Sequence, residues 1–146
     1  MKTYMIGFGT SKNAGDAREW GVCAYYGIER TSHDSLAYDK GSDVEAGEKH
    51  ISVKASKFSL MSGRLCEGRE TFDEIWELYA KRTHSNTWAY VCKDGTTYEM
   101  NKEEFKRFVY AFCKTERESS KNGGAMKIRC KEETRKMLEW FEANMG

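Results

Sequence analysis

The chain has 146 residues, 39% hydrophobic and 32% charged, with 4 Trp, 8 Tyr and 7 Phe, which is apolar material for one packed core and one globular domain. With 24 Lys+Arg against 23 Asp+Glu the net charge is +1, which excludes nucleic-acid binding through overall charge alone. There is no proline where average usage of about 5% would give roughly seven, so proline-rich linkers and collagen-like architectures are excluded.

After a short apolar start, Asn13 is placed to cap a helix through about Glu29, with Ala17, Trp20, Ala24 and Ile28 at helical spacing and Asp16, Arg18 and Glu19 off that stripe. Gly21 and Gly27 predict a bend or an early end. A polar loop over 31–37 leads to YDKGSDVEAGEKHISVKAS, read as a hairpin with strands near 38–45 and 50–56 around a turn at 46–49. Segment 57–70, broken by Gly63 and Gly68, reads as a loop with a helical turn. A helix then runs from Thr71 to about Arg82, with Phe72, Ile75, Trp76 and Tyr79 on one face and a capping box from Thr71 to Glu74. Strands at 87–92 and 96–100 flank the turn Lys93-Asp94-Gly95, and Asn101 caps a helix to about Thr115 with Phe105, Phe108, Val109 and Phe112 as its core face. A loop, ESSKNGG, precedes a strand at 125–130 and a last helix from about Glu132 to Asn144. The predicted order is α, β, β, α, β, β, α, β, α, a mixed α/β or α+β domain.

No window approaches the ~18 uninterrupted apolar residues of a membrane span, and the opening MKTYMIGFGTSKNAGD lacks a signal-peptide pattern, so a cytoplasmic protein without membrane partners is expected. Five cysteines without CxxC spacing exclude a fully paired disulfide framework and a zinc knuckle; Cys23, Cys92 and Cys113 lie among apolar neighbours and read as buried thiols. GxxxxGK[ST], HExxH, GxSxG and GxGxxG are all missing, which argues against nucleotide hydrolysis, zinc proteolysis, esterase chemistry and nicotinamide redox.

The hairpin carries the chemistry. Across its turn Glu45 opposes His50, Val44 opposes Ile51 and Asp43 opposes Ser52, so alternation puts Asp43, Glu45, His50, Ser52 and Lys54 on one face and Val44, Ile51 and Val53 on the other. Two carboxylates offer oxygens to a hard cation such as Mg²⁺ or Mn²⁺, and a neighbouring lysine can steady a nucleophile and offset charge on a phosphate. On the pattern alone the same face also reads as the solvent side of an ordinary amphipathic hairpin. Basic residues gather in 49–69 (Lys49, Lys54, Lys57, Arg64, Arg69) and in 117–131, where Lys127 and Arg129 alternate with Met126 and Ile128. Such patches suit a phosphate backbone, and equally a solvated surface. His33 and His84 fall in loops with no assigned role.

The segment GSDVEAGEKHISVKAS, preceded by a helix bearing Glu19 and followed by strand, helix and strand, resembles the core of the PD-(D/E)XK nuclease superfamily, the restriction-endonuclease-like fold, over roughly residues 12–130. The resemblance implies a central mixed sheet flanked by helices and metal-dependent hydrolysis of phosphodiesters, in DNA rather than RNA. Asp43 would be the metal-binding acid, Ser52-Val53-Lys54 would stand at the acid-x-Lys motif with Lys54 catalytic, Glu19 would be the helical acid, and the Val53 carbonyl a further ligand. Ser42 stands at the family's Pro. Ser52 stands at its second acid, a hydroxyl in place of a carboxylate that Glu45 or Glu19 would have to supply. Lys57, Arg64, Arg69, Lys127 and Arg129 would hold the nucleic acid. A chain this short leaves specificity to loops, a homodimer or a protein partner. Ser52 also admits a second expectation, a non-catalytic nucleic-acid-binding or phage-type inhibitor or adaptor on the same fold. A third is a plain α+β interaction domain.

Overall fold

The computed structural model describes residues 1–8, 14–29, 42–55, 58–60, 68, 71–117, 126–130 and 134–144. They fall in two compact units, each built from two stretches of chain: Met1–Ala55 with Thr83–Glu104, and Ser56–Arg82 with Phe105–Gly146. The class is mixed α+β, as the sequence predicts. No helix among the described residues is long and apolar enough to cross a membrane.

The first unit holds β1 (Lys2–Met5), α1 (Ala14–Tyr26), β2 (Val44–Ala46), β3 (Lys49–Lys54), β5 (Thr87–Val91) and β6 (Thr96–Asn101). The strands form one mixed sheet in the order β1-β6-β5-β3-β2, antiparallel except for the β3–β5 pair. That parallel pair needs a long crossover, which residues 55–86 provide. The hairpin register is the predicted one, Val44 with Ile51 and Glu45 with His50, but Ala46 also pairs with Lys49, so the turn is the two residues Gly47-Glu48 and not four.

Helix α1 packs on β2 and β3. Its buried side chains include Ala17, Val22 and Cys23, of which Val22 and Cys23 join one core with Tyr4, Ile6, Val44, Ile51, Ala89 and Val91. Of the predicted stripe Ala17 and Ile28 turn inward, while Trp20, 46% exposed, and Ala24 face outward, so the inward face is rotated toward Val22 and Cys23. The cause is Gly21: a Cβ there would sit 2.3 Å from the Gly7 carbonyl oxygen, so the bare glycine lets the helix lie close to the chain leaving β1 and sets which side turns inward. The helix ends three residues before the predicted Glu29, because Gly27 takes the left-handed conformation at φ +66°. Ile28 N–H then donates to the Cys23 carbonyl and Gly27 N–H to that of Ala24, a Schellman closure with Ile28 resting on the core. The proposed cap, Asn13, lies outside the described residues, as does predicted strand 38–41.

One buried carboxylate ties this unit together. Glu99 of β6, 4% exposed, accepts hydrogen bonds from Tyr4 Oη of β1 at 2.9 Å, from Tyr26 Oη at the end of α1, and from Lys49 Nζ of β3 at 2.7 Å. Burial alone would raise its pKa; the bonds from Lys49, Tyr26 and Tyr4 outweigh it and hold Glu99 below the usual carboxylate range. The same contact raises Lys49.

The second unit holds β4 (Phe58–Ser59), α2 (Phe72–Arg82), most of α3 (Lys102–Phe112), β7 (Cys113–Arg117), β8 (Met126–Cys130) and α4 (Thr134–Asn144). Its antiparallel sheet runs β4-β8-β7. Both predicted caps are present: Thr71 Oγ1 accepts from Glu74 N–H at 3.2 Å, while Asn101 and Glu104 exchange side-chain-to-backbone bonds at 2.9 and 3.0 Å. Ile75, Trp76, Tyr79, Phe105, Phe108 and Val109 are buried as expected, within an aromatic cluster that includes Phe58 and Phe141.

Three strands go beyond the predicted order. β1 buries only Tyr4, and β4 has two residues, too few to show alternation. β7 follows α3 with no glycine between Phe112 and Cys113, so the helical reading runs on to about Thr115. Cys23 and Cys92 are buried free thiols as predicted.

Replacing Glu99 with alanine is expected to destabilise the protein by about 2 kcal/mol in urea unfolding, since the buried Tyr4 hydroxyl loses its acceptor while the more exposed Tyr26 and Lys49 turn to water.

Candidate functional site

Asp43 sits immediately before β2. Its N–H donates to the Ile51 carbonyl at 2.8 Å, and its Oδ2 accepts the Val53 N–H at 2.8 Å, so the carboxylate is fixed against β3 at both ends of the residue. Glu19, on α1, is brought to the same place, and both its carboxylate and the Lys54 ammonium lie close enough to act on Asp43 electrostatically. Burial raises the Asp43 pKa most; the Val53 N–H and Lys54 oppose that, and the Glu19 carboxylate adds to it. The result is a carboxyl pushed from 3.8 up to about 6. Two carboxyl groups brought this near one another offer oxygens that a divalent cation can bridge.

Glu45 belongs to another group of side chains. It contacts His50 Nδ1 through Oε2, and Oε1 lies 3.3 Å from His84 Nε2. From His50 to Lys54 is four residues of extended strand, about 13 Å. The face that alternation predicts as continuous thus carries two separate clusters, Asp43–Glu19–Lys54 toward the end of β3 and Glu45–His50–His84 at its start.

Ser52 is 2% exposed and pairs in register with Trp88, itself fully buried. Both faces of the β3–β5 pair are covered here, as expected of parallel neighbours, and a small hydroxyl suits a place where an unpaired carboxylate would be costly. Val53, half-buried against the core, commits its N–H to Asp43. Lys127 and Arg129 lie on β8, where only the backbone is described. Lys57, Arg64 and Arg69 lie outside the described residues.

Two participants carry no sequence signal. His84 stands in the polar run KRTHSN, and only the parallel register, which sets Thr87 beside Ile51, brings it over His50. Glu99 alternates within TTYEM like any strand acid, and its role depends on three partners far away in sequence. In comparisons with known proteins, no family model, no curated protein and no solved structure matches this chain.

Because Asp43 has a higher pKa folded than unfolded, its contribution to stability is fully present below about pH 4 and is lost as pH rises through about 6. Asp43→Asn is therefore expected to raise the melting temperature at pH 7 and to flatten the decline between pH 4 and 7, read by thermal unfolding across that range.

Proposed function

We propose that the protein is a small divalent-metal-dependent nuclease that hydrolyses phosphodiester bonds, in DNA rather than RNA, at the Asp43–Glu19–Lys54 cluster. The observation that carries the reading is the Asp43 carboxylate, half-buried and fixed by the Val53 N–H at 2.8 Å, with Glu19 and Lys54 beside it. The fold is in keeping with it: a mixed sheet and an acid on the helix preceding the hairpin are what the restriction-endonuclease-like resemblance implies.

The donor set fits Mg²⁺ or Mn²⁺. Asp43 and Glu19 supply carboxylate oxygens, with the Val53 carbonyl as the further ligand the resemblance implies, and hard cations take oxygen donors while keeping positions for water and phosphate. Glu19 replaces the acid missing at Ser52. When bound, the ion supplies Lewis acidity toward a phosphate oxygen. Val53 N–H keeps the Asp43 carboxylate in one orientation. Lys54 positions the attacking water and offsets negative charge that builds on the phosphorus oxygens during in-line displacement. Water adds to phosphorus, the bridging ester bond breaks, and the leaving oxygen departs as a hydroxyl, giving a phosphate monoester end.

Ser52 favours a second reading, a nucleic-acid-binding or inhibitor protein that retains the fold without hydrolysis. A supercoiled-plasmid assay with Mg²⁺, Mn²⁺ or EDTA separates the two. The nuclease predicts metal-dependent nicking that falls at least about 100-fold in Asp43→Ala and Lys54→Ala while both variants keep their circular dichroism. Retarded migration of DNA without cleavage, identical in all three proteins, would overturn it in favour of the second reading.

A further inference from the structure

We propose that Glu45, His50 and His84 form a second, independent site that binds one late first-row divalent cation, with Zn²⁺ as the ion the donor set suits. One donor atom from each of the three residues lies within 4.8 Å of the other two. Donors arranged tetrahedrally at Zn–N and Zn–O lengths near 2.0–2.1 Å lie about 3.3 Å apart. The Glu45 Oε1 to His84 Nε2 distance is already 3.3 Å, His50 Nδ1 is in contact with Glu45 Oε2, and the two imidazoles face each other at 4.1 Å between centroids. Two imidazoles and one carboxylate match zinc and its neighbours better than Mg²⁺, which prefers oxygen alone.

The site is held by bonds that do not involve its ligands' side chains. His50 N–H donates to Asn86 Oδ1 at 2.9 Å, Asn86 N–H donates to the His50 carbonyl at 3.0 Å, and Asn86 Nδ2 donates to the Glu48 carbonyl at 2.9 Å. Thr87 Oγ1 holds the same Asn86 oxygen at 2.9 Å. Asn86 thus straps the 83–86 segment to the hairpin and presents His84 over the Glu45–His50 pair, the preorganisation a cation site needs. All three side chains are between 30% and 36% exposed, so an ion can reach them from solvent.

A bound ion there pins the β2–β3 turn to the segment that leads into β5. With three protein ligands, a fourth position stays open to water or to an external donor. The site uses none of Asp43, Glu19 or Lys54; His50 stands about 13 Å along β3 from Lys54, and Glu45 about 7 Å from Asp43. Its existence does not depend on the nuclease reading, and the two can fail separately.

The test uses the full chain, freed of metal by a chelator and then titrated with Zn²⁺ against a colorimetric chelator, and with Co²⁺ followed by visible absorption. One equivalent is expected to bind at the imidazole cluster ahead of any weaker oxygen-donor site, and to raise the melting temperature. His84→Ala and His50→Ala are expected to weaken that binding about 100-fold, while Glu103→Ala, at an exposed carboxylate of α3, leaves it unchanged. His84 lies outside any helix or strand, so its variant decides the matter even where His50→Ala fails to fold. Absence of stoichiometric binding to the wild type, or binding in His84→Ala as tight as in the wild type, would overturn the assignment.

Discussion

The Glu99 carboxylate is the constraint on which the first unit depends. A buried charge is tolerable only where donors replace its water, and here they come from three elements distant in sequence: a tyrosine from β1, a tyrosine from the last turn of α1 and a lysine from the start of β3. Satisfying one side chain therefore fixes where α1 ends relative to the sheet. Gly21 sets how closely that helix approaches, and the left-handed Gly27 closes it. Glu19 lies two helical turns before Tyr26, about 10 Å along the axis, so the hub at one end of α1 governs the meeting of Glu19 with Asp43 near the other.

That meeting is locally unfavourable. Asp43 is taken out of water, opposed by a second acid and only partly compensated by one backbone N–H and a nearby ammonium. Under the proposed function that cost is offset when a cation binds between the two acids. Nearer the hairpin turn, Glu45 of β2 meets two imidazoles instead of an acid and an ammonium. One short hairpin carries a hard-oxygen cluster and a nitrogen-rich one, and the partners brought in from α1 and from the 83–86 segment make the difference.

The parts of this arrangement that were legible in the sequence are those set by local chemistry. The Val44–Ile51 and Glu45–His50 register follows from alternation around a glycine turn. The caps at Thr71 and Asn101 follow from side chains three residues apart. Association of Asp43 with Glu19 and Lys54 was expected from the family resemblance, and the structure brings those three together. What stayed hidden depends on tertiary geometry. The inward face of α1 is chosen by a close backbone approach at Gly21, which no hydrophobic stripe reveals. Splitting of the hairpin's polar face into two clusters, burial of Ser52 on both sides of the sheet, and the arrival of His84 all require the parallel β3–β5 register, a pairing across more than thirty residues.

The central claim is that Asp43 and Glu19 together hold a hard divalent cation. It is tested most directly by following backbone amide chemical shifts in a Mg²⁺ titration, because Mg²⁺ discriminates against the imidazole cluster. The account predicts saturable shifts concentrated at Glu19, Asp43, Val53 and Lys54, and their loss in Asp43→Asn. Shifts that miss those residues, or that persist unchanged in the folded variant, would contradict it.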